Sequence, residues 1–469
     1  MNTDTIAAIA TAVSDSGIGI IRVSGDDAIE IVDKVYRSKS GKKRLVNVES
    51  HTIHYGFIYD GDTLVDEVMV AVMKAPNTYT KENTVEIDCH GGILVMHKIL
   101  ETVMKNGCRL AEPGEFTKRA FLNGRIDLSK AEAVMDLIHS KNEFALKASV
   151  NQLKGTVSDK VKNLRDDILY EIAFIESALD DPEHISLDGY CEKLEKKVLG
   201  IRAELKKLID SADNGKLLKD GINTVIVGKP NVGKSSFLNL LVGEEKAIVT
   251  SVAGTTRDVL EESVKLNGVG LNIIDTAGIR DTDDEVEKIG VEKARKYANN
   301  ADLIIYMTDV SQKLDENDAE IAELIAGKKI IVLLNKTDLE QVVSDAEISK
   351  LFYKNMTDMS ESNSVRIIKT STKENIGIDE FEDTIKEMFF GGEIAVNDEI
   401  YITSGRHKEA LMEAYESMGL VLNSLADQMP EDFYSIDLMS AYASLGRIIG
   451  EEVGEDLVNE IFSKFCMGK

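Results

Sequence analysis

The sequence predicts a multidomain protein in which an α/β domain is inserted into an all-α helical domain that follows an α+β N-terminal domain. Three observations predict it. Short strand-like apolar runs fill the first part of the chain, a three- and four-residue apolar repeat occurs on both sides of its middle, and buried-strand runs alternate with helical segments between those repeats. The predicted segments are 1–118, 119–220, 221–390 and 391–469. The second and fourth segments together form the helical domain.

The N-terminal segment contains the apolar runs GIGIIRVSG, EVMVAVMKAP and TVEIDCHGG, and one helical stretch follows His90. Short apolar runs bounded by glycine or proline are typical of strands. One helix among several strands predicts an α+β domain.

The helical segments are predicted from spacing. Apolar side chains recur every three or four residues over 146–179, which predicts one very long helix ended by Asp181-Pro182. The same spacing recurs over 194–208 and 411–425. A helix with a single apolar stripe is not stable alone, so we expect these helices to pack as a bundle.

The chain carries 55 basic and 82 acidic residues, a net charge of −27. That charge argues against broad, non-specific binding of nucleic acid but leaves room for a local basic patch. Cys89, Cys108, Cys191 and Cys466 form no CxxC pair, which favours reduced thiols. The N-terminus lacks a signal-peptide pattern and no apolar stretch approaches the ~18–20 residues of a membrane span, so we expect a cytoplasmic protein.

The inserted segment opens with a phosphate-binding motif. GKPNVGKSS follows the strand-like run NTVIV and precedes the helical run FLNLLVG. It matches G-x-x-x-x-G-K-S through Gly228, Gly233, Lys234 and Ser235. Successive backbone N–H groups close around phosphates, Lys234 reaches the β- and γ-phosphates, and the Ser235 hydroxyl ligates Mg²⁺.

Two further motifs predict contacts to the metal ion and the γ-phosphate. DTAG places Asp275 in the Mg²⁺ shell and the Gly278 amide at the γ-phosphate. SVAGTTRD lies at the distance of a first switch segment, and we expect the Thr256 hydroxyl to close on Mg²⁺. Ile279 stands where a Ras-like protein carries the glutamine that orients water, so the catalytic help must come from elsewhere.

The guanine base is predicted from NKTD and TSTK. Asp338 can accept hydrogen bonds from the guanine N1 and amino hydrogens, while Asn335 addresses the other base edge, so GTP is preferred over ATP. Four motifs in this order predict a P-loop GTPase (Ras-like) domain and an enzyme that hydrolyses GTP. The residues predicted to contact GTP are Asn231, Val232, Gly233, Lys234, Ser235, Ser236, Thr250, Ser251, Val252, Ala253, Gly254, Thr255, Thr256, Asp275, Thr276, Ala277, Gly278, Asn335, Lys336, Thr337, Asp338, Ser371, Thr372 and Lys373.

With these motifs and their flanks, the chain resembles the MnmE (TrmE) family of tRNA wobble-uridine-modifying GTPases over essentially its whole length. The resemblance is carried by PGEFTKRAFLNGRIDLSKAEAVMDLI, PNTYTKENTVEIDCHGG, AGTTRDV, DTAGIRDTDDEVEKIGVEKA and the closing FCMGK. Other P-loop GTPases share only the inserted domain, whereas the N-terminal blocks and the tail are specific to this family.

The resemblance implies a homodimer formed through an N-terminal domain that folds like a tetrahydrofolate-binding module. It also implies a heterotetramer with an FAD-dependent protein of the MnmG/GidA family. Together they would add a carboxymethylaminomethyl or aminomethyl group to carbon 5 of the tRNA wobble uridine. A 5-formyl or 5,10-methylene derivative of tetrahydrofolate would supply the one-carbon unit.

The resemblance also implies a K⁺ ion between the nucleotide domains of two subunits, where its charge does the work of an arginine finger. Asn231, Thr250, Val252 and Thr255 would hold the ion, mostly through backbone oxygens. Glu287 would orient the attacking water. Apart from the family, a glutamate beside a lysine is ordinarily just solvated, and that alternative stays open.

For the folate site, the resemblance implies Arg22, Glu86, Arg125 and Lys469. The residue types suit the ligand, because arginine and lysine pair with the carboxylates of folate and a carboxylate pairs with the amino edge of the pterin. Cys466 lies three residues before Lys469 and could approach the one-carbon carrier. Whether its thiol is catalytic, positioning or merely buried stays open.

Two other functions are weighed against this one. A ribosome-assembly GTPase would use the α/β domain to bind ribosomal RNA, but it usually needs a basic appended domain, which a net charge of −27 disfavours. A dynamin-like scaffold would use GTP-driven dimerisation mechanically and perform no chemistry. Folate binding by residues 1–118 would distinguish them, since neither alternative predicts it.

Overall fold

A computed structural model of the protein describes residues 4–243, 262–266, 269–274, 301–353, 365–390, 400–465 and 468. The chain divides into two compact units. The first unit consists of Met1–Ile138, Gln152–Leu199 and Glu413–Lys469, and the second of His139–Asn151 and Gly200–Met412.

The first unit contains a seven-stranded sheet in the order β3-β4-β5-β6-β2-β1-β7. Its strands are β1 (Ile6–Ile9), β2 (Ser16–Ser24), β3 (Tyr36–Ser38), β4 (Thr52–Asp60), β5 (Thr63–Met73), β6 (Thr84–Gly91) and β7 (Arg109–Leu110). All neighbours are antiparallel except β1 and β7, which are parallel. This combination of a mixed sheet and helices is the α+β arrangement that the strand-like runs predict.

Side chains alternate between the two faces of this sheet, as the pleat requires. The face that carries Ile21, Val23 and Ile87 packs on helices α1 (Ala28–Val35) and α2 (Ile93–Lys105) and forms the main core of the unit. Arg22 lies between Ile21 and Val23 and therefore projects from the opposite face. There, Phe116 packs with strand β1 residues in a second, smaller apolar cluster.

The remaining helices of the first half are α3 (Glu115–Leu122), α4 (Leu128–His139), α5 (Glu143–Lys154), α6 (Thr156–Asp180) and α7 (Tyr190–Asp220). Helix α6 ends directly before Asp181-Pro182, as predicted. The single long helix predicted over 146–179 is wrong, because Gly155 interrupts it with φ of 109°. That left-handed conformation is rarely open to other residues, and a Cβ at Gly155 would meet Lys130 Cε at 2.9 Å.

Most apolar positions of the repeats are buried, as the spacing predicts. Val161, Ile168 and Ile175 of helix α6 are buried, and so are Leu194 and Leu205 of α7. The later helices of the chain are α12 (Gly405–Ala426), α13 (Glu431–Ile449) and α14 (Glu455–Ser463). Within the first unit, α6 packs along α13, and α14 packs on α3.

The second unit contains a six-stranded sheet in the order β13-β12-β11-β8-β10-β9. Its strands are β8 (Ile222–Val227), β9 (Glu262–Leu266), β10 (Val269–Ile273), β11 (Leu303–Asp309), β12 (Ile330–Asn335) and β13 (Val365–Lys369). All pairs are parallel except β9 with β10. The four strands predicted from buried runs, β8, β10, β11 and β12, are confirmed.

Helices cover both faces of this parallel sheet. One face packs on α8 (Lys234–Gly243) and α11 (Ile378–Phe390), and the other on α9 (Glu316–Leu324) and α10 (Asp345–Tyr353). Strands β11 and β12 are therefore buried on both sides, which explains their unbroken apolar sequences. Strands β10 and β11 flank β8 on opposite sides, and in such sheets a ligand cleft opens at the carboxyl end of the strand where the order reverses.

Within the described residues, the structure contains no helix that is both long and apolar enough to cross a membrane.

Candidate functional site

The phosphate-binding motif lies where the sheet predicts a ligand cleft, between the carboxyl end of β8 and the first residue of α8. Gly233 precedes helix α8 with φ of 107°. A Cβ there would approach Asn335 Nδ2 to 2.3 Å, so only glycine fits between the loop and strand β12. The loop thereby presents successive backbone N–H groups at the N-terminus of a helix, an arrangement that binds anions.

Lys234 lies over this loop. Its ammonium donates hydrogen bonds to the backbone oxygens of Gly228 at 2.8 Å and Lys229 at 2.6 Å. Burial lowers the pKa of Lys234 to about 8. A buried ammonium held only by neutral carbonyls is costly unless an anion pairs with it. The loop is therefore prepared for a negatively charged ligand.

A second lysine of the loop, Lys229, holds it to helix α9. Its ammonium lies 2.7 Å from Asp315 Oδ2 and 2.6 Å from Asp318 Oδ2. The Tyr306 hydroxyl of strand β11 donates to Asp318 Oδ1 at 2.5 Å. The motif pattern gives no sign of this anchor, because its partners lie more than 80 residues further along the chain.

Asn335 connects the phosphate loop to the base-binding loops. The side chain is completely buried, and its amide donates to the Val232 backbone oxygen at 2.7 Å. Its Oδ1 accepts from the Thr372 backbone N–H at 3.1 Å and from the Thr370 hydroxyl at 3.4 Å. The carboxyl ends of β8, β12 and β13 are thus held together by one side chain. Thr370 was missed by sequence reasoning, although it is the first residue of TSTK.

Asp338 stands beside this junction with its side chain 13% exposed. One carboxylate oxygen accepts a hydrogen bond from the Ser371 hydroxyl at 2.8 Å, and the Lys373 ammonium lies 4.0 Å from the other. The Ser371 hydroxyl in turn accepts from the Glu374 backbone N–H at 3.3 Å. An ionised carboxylate accepts hydrogen bonds only, so it complements the N1 and amino hydrogens of guanine.

Lys336, between Asn335 and Thr337, has φ of 67° and points its ammonium at Asp309 Oδ2, 2.7 Å away. Burial raises the pKa of Asp309, but hydrogen bonds from Lys336 and Ser311 outweigh it and hold that pKa below its ordinary value. Thr337 donates to the Thr370 backbone oxygen from both its N–H and its hydroxyl. The NKTD turn is therefore tied to the ends of both β11 and β13.

The metal expected here is Mg²⁺, and Ser235 is the described residue predicted to bind it. As the second residue of helix α8, Ser235 offers one half-buried hydroxyl next to the loop. Mg²⁺ prefers oxygen ligands and takes several of them from phosphates and water, so a single hydroxyl fits that role. The described parts of the chain contain no group of three or more His, Cys, Asp or Glu residues that could hold a metal ion.

Part of the predicted site lies outside the described residues. These residues are Thr250, Ser251, Val252, Ala253, Gly254, Thr255, Thr256, Asp275, Thr276, Ala277, Gly278, Glu287, Cys466 and Lys469. The structure brings together the other predicted GTP contacts, which come from three loops at one sheet edge.

A second cluster lies on the N-terminal sheet, on the face opposite α1 and α2. Arg22 of β2 and Glu86 of β6 are direct cross-strand partners, and Arg22 Nε donates to Glu86 Oε1 at 2.8 Å. The centroid of the Tyr79 ring lies 5.8 Å from Arg22 Cζ and 4.6 Å from Arg125 Cζ. Phe116 also faces Arg22, at 5.6 Å. Three of the four residues expected to bind folate are therefore neighbours.

The C-terminal end of the chain reaches the same cluster. Arg22 Nη1 donates to the Gly468 backbone oxygen at 3.1 Å. Burial, with the charge of Glu86 adding to it, raises the pKa of Asp88 on the same face. Tyr79 and the Gly468 carbonyl were missed by sequence reasoning. Tyr79 could have been found, because it lies in the quoted block PNTYTKENTVEIDCHGG.

Comparison with known proteins gives matches along the whole chain. The family model for the N-terminus of the GTP-binding protein TrmE matches residues 5–125, and the model for the MnmE helical domain matches residues 128–466. The second match alone spans more than half of the chain.

Curated relatives match over their full lengths. A protein of Lachnoclostridium phytofermentans is 58% identical over 469 residues, which is 100% of both chains. One from Clostridioides difficile is 48% identical over 466 residues, 99% of both, and one from Bacillus mycoides is 47% identical over 472 residues, 100% of both. Each of these relatives is named tRNA modification GTPase MnmE.

Among solved structures, Era of Aquifex aeolicus with bound GDP.AlF4- is 29% identical. The match covers 42% of this chain and 67% of that one, with a TM-score of 0.26.

Proposed function

The chain belongs to the MnmE family of tRNA modification GTPases, and we propose on that premise that it binds and hydrolyses GTP as part of tRNA modification. The resemblance inferred from the sequence motifs is confirmed by the family models and by the relative that is 58% identical over the whole chain. Neither alternative, a ribosome-assembly GTPase or a dynamin-like scaffold, accounts for a family match that includes the N-terminal and helical parts.

The main evidence for a GTP site is that three loops converge at one end of the parallel sheet. The phosphate loop and Lys234 meet the negative charge of the phosphates, while Asp338 meets the hydrogen-bond donors of guanine. Asn335 joins the two halves through Val232 and Thr372, so that phosphates and base are received at a fixed separation. Mg²⁺, held by Ser235, Thr256 and Asp275 together with phosphate oxygens, would neutralise the charge that develops on the phosphates.

For hydrolysis we propose K⁺ as the source of positive charge and Glu287 as the group that orients water. Ile279 has no polar atom in its side chain and cannot position a water molecule. Asn231 is an exposed residue of the phosphate loop, with φ of 62°. With Thr250, Val252 and Thr255, it would hold the ion.

For the second cluster we propose a tetrahydrofolate derivative as ligand. The Tyr79 ring offers a flat surface for a pterin, and Glu86 offers a carboxylate for its amino edge. Arg22, Arg125 and Lys469 would pair with the carboxylates of the glutamate tail. Because Arg22 contacts the Gly468 carbonyl, Lys469 and Cys466 are within a few residues of the cluster along the chain. Folate would supply the one-carbon unit for the modification.

We also propose that two copies dimerise through the N-terminal sheet. Strands β4 and β5 expose apolar side chains, with Tyr55 and Met69 as direct cross-strand partners. Ile53 is 60% exposed and Met69 48% exposed. A contiguous apolar face on a sheet is typical of a protein interface. An FAD-dependent partner would complete a heterotetramer, and because the proposed substrate is tRNA, we place the protein in the cytoplasm.

The direct test is mass spectrometry of nucleosides from the anticodon wobble position of tRNA. We expect cells that lack this protein to lose a uridine modified at carbon 5, and a plasmid copy of the gene to restore it. The same nucleosides in both strains would contradict a role in tRNA modification.

A further inference from the structure

A basic segment lies near the N-terminus of this strongly acidic chain. Residues 34–48 contain six lysines and arginines and no aspartate or glutamate. The chain as a whole has 82 acidic residues in 469, so about one residue in six is acidic. Neither the GTP site nor the cluster of Arg22, Tyr79, Glu86 and Arg125 that we propose to bind folate, here called the folate cluster, uses this segment. A local excess of positive charge in an acidic protein indicates a negatively charged partner.

Its central part, residues 39–44, forms the loop between β3 and a short 3₁₀ helix, Leu45–Asn47. Lys39, Lys42 and Lys43 are exposed. Among the described residues, none of these three ammonium groups forms an ion pair. Their charges are thus available to a partner in solution.

The loop is held in place by a buried carboxylate. Asp33 has a side chain that is only 1% exposed, and it pairs with the Arg44 guanidinium. The same carboxylate accepts from the Leu45 backbone N–H at 2.5 Å, and the Lys43 N–H donates to the Ser38 hydroxyl at 3.1 Å. Asp33 therefore neutralises Arg44 but leaves Lys42 and Lys43 uncompensated. Because the backbone is anchored, little ordering entropy is lost when these lysines bind.

An open cleft of about 460 Å³ lies beside the loop. Its lining includes Lys42, Lys43, Arg44, Asn47, Glu49 and His54. Burial lowers the pKa of His54, and the nearby charge of Lys43 lowers it further. The positive field of the loop is therefore felt inside the cleft, and the carboxylate of Glu49 offsets only part of it.

We propose that the loop of residues 39–44 and the adjoining cleft bind the phosphate backbone of tRNA. This inference rests on the proposed function, which makes tRNA the substrate. Lysine ammonium groups are strongly hydrated point charges that bind phosphates without reading sequence. An exposed row of charges next to an open cleft suits an extended polyanion better than an enclosed small molecule. The loop would position the RNA, and sequence recognition would come from other contacts.

The test compares tRNA binding by wild type and by the double variant Lys42→Gln/Lys43→Gln, measured by filter binding over a range of salt concentrations. Each lost phosphate contact lowers the slope of log affinity against log salt by about one. We therefore expect the slope to fall by about two and the affinity at low salt to fall roughly tenfold to a hundredfold. GTP hydrolysis without tRNA should be unchanged, because neither lysine belongs to the GTP site.

Two further variants control this test. Lys193→Gln/Lys196→Gln removes two exposed lysines from helix α7 and makes the same change in net charge, so it should bind tRNA nearly as wild type does. Lys42→Arg/Lys43→Arg keeps the positive charge at both positions, so this variant should bind tRNA nearly as wild type does. An equal loss in the α7 variant, or no loss in the loop variant, would overturn the inference. Wild-type protein that bound no tRNA at low salt would overturn the proposed function as well.

Discussion

The GTP site lies at the edge of one sheet where its strands end, whereas the folate cluster lies on the face of the other sheet. At the GTP site, loops meet at the carboxyl edge of a parallel sheet, and much of the binding falls to backbone N–H groups. At the folate cluster, side chains project from one face of a largely antiparallel sheet, where Arg22 and Glu86 are cross-strand partners. The edge site depends on backbone geometry at a helix N-terminus, whereas the face site depends on strand register and on residues brought from distant parts of the chain.

This difference predicts how the two sites respond to change. Several backbone groups share the phosphates, so the edge site should retain nucleotide when a single catalytic charge is removed, and the loss should appear in the rate. The face site relies on a few charged side chains, so the loss of one should appear directly in affinity.

The largest effect is expected at the edge site on exchange of K⁺ for Na⁺. A charge that does the work of an arginine finger is worth roughly 10³-fold or more in rate, so turnover should fall by about that factor in Na⁺. GTP hydrolysis measured at matched ionic strength tests it. Asn231→Ala should lose most of the K⁺ stimulation while still binding GTP. Equal turnover in the two salts would show that K⁺ has no catalytic role.

A smaller effect is expected at the same site from Asp338→Asn. The hydrogen bond from the guanine amino group is lost because the amide NH₂ faces it, and the bond from N1 loses its charged acceptor, so GTP affinity should fall roughly a hundredfold or more. Because an amide can donate a hydrogen bond to the second carbonyl of xanthine, the variant should gain affinity for xanthosine triphosphate. Nucleotide titration by calorimetry measures both effects.

The matched control for this change is Asp345→Asn, an exposed aspartate on helix α10 that pairs with Lys369. It should bind GTP as wild type does. If Asp338→Asn kept its preference for GTP, the base would be recognised by other groups.

The smallest effect is expected at the face site from Arg22→Ala. One charge-assisted contact is worth ~1.5–3 kcal/mol, so affinity for a tetrahydrofolate derivative should fall roughly tenfold to a hundredfold, while GTP hydrolysis stays nearly intact. Arg37→Ala is the matched control, because Arg37 stacks on Tyr59 on the same sheet with its Cζ 4.1 Å from the ring centroid. Unchanged folate affinity in Arg22→Ala would remove Arg22 from the site, and a loss of both activities would indicate a defect in folding.

The amino-acid sequence by itself determined the parallel sheet and most of the helices, and its motifs predicted the loops that meet at the proposed GTP site. Gly233, Lys234 and Asp338 were predictable because a short contiguous motif both shapes a turn and supplies its binding groups. The helices were predictable from apolar spacing. The exception was Gly155, where a helix break had to be inferred from a single residue inside an otherwise regular repeat.

Only the tertiary structure decided which distant side chains meet. The contacts of Lys229 with Asp318, Lys336 with Asp309 and Thr370 with Asn335 join loops that are 27 to 89 residues apart in the chain. The contact between Arg22 and Gly468 spans almost the entire sequence. Such pairs leave no local pattern, since they follow from strand order and register. These long-range contacts are decided by the packing of whole strands and helices against one another, and no single segment of sequence contains that information.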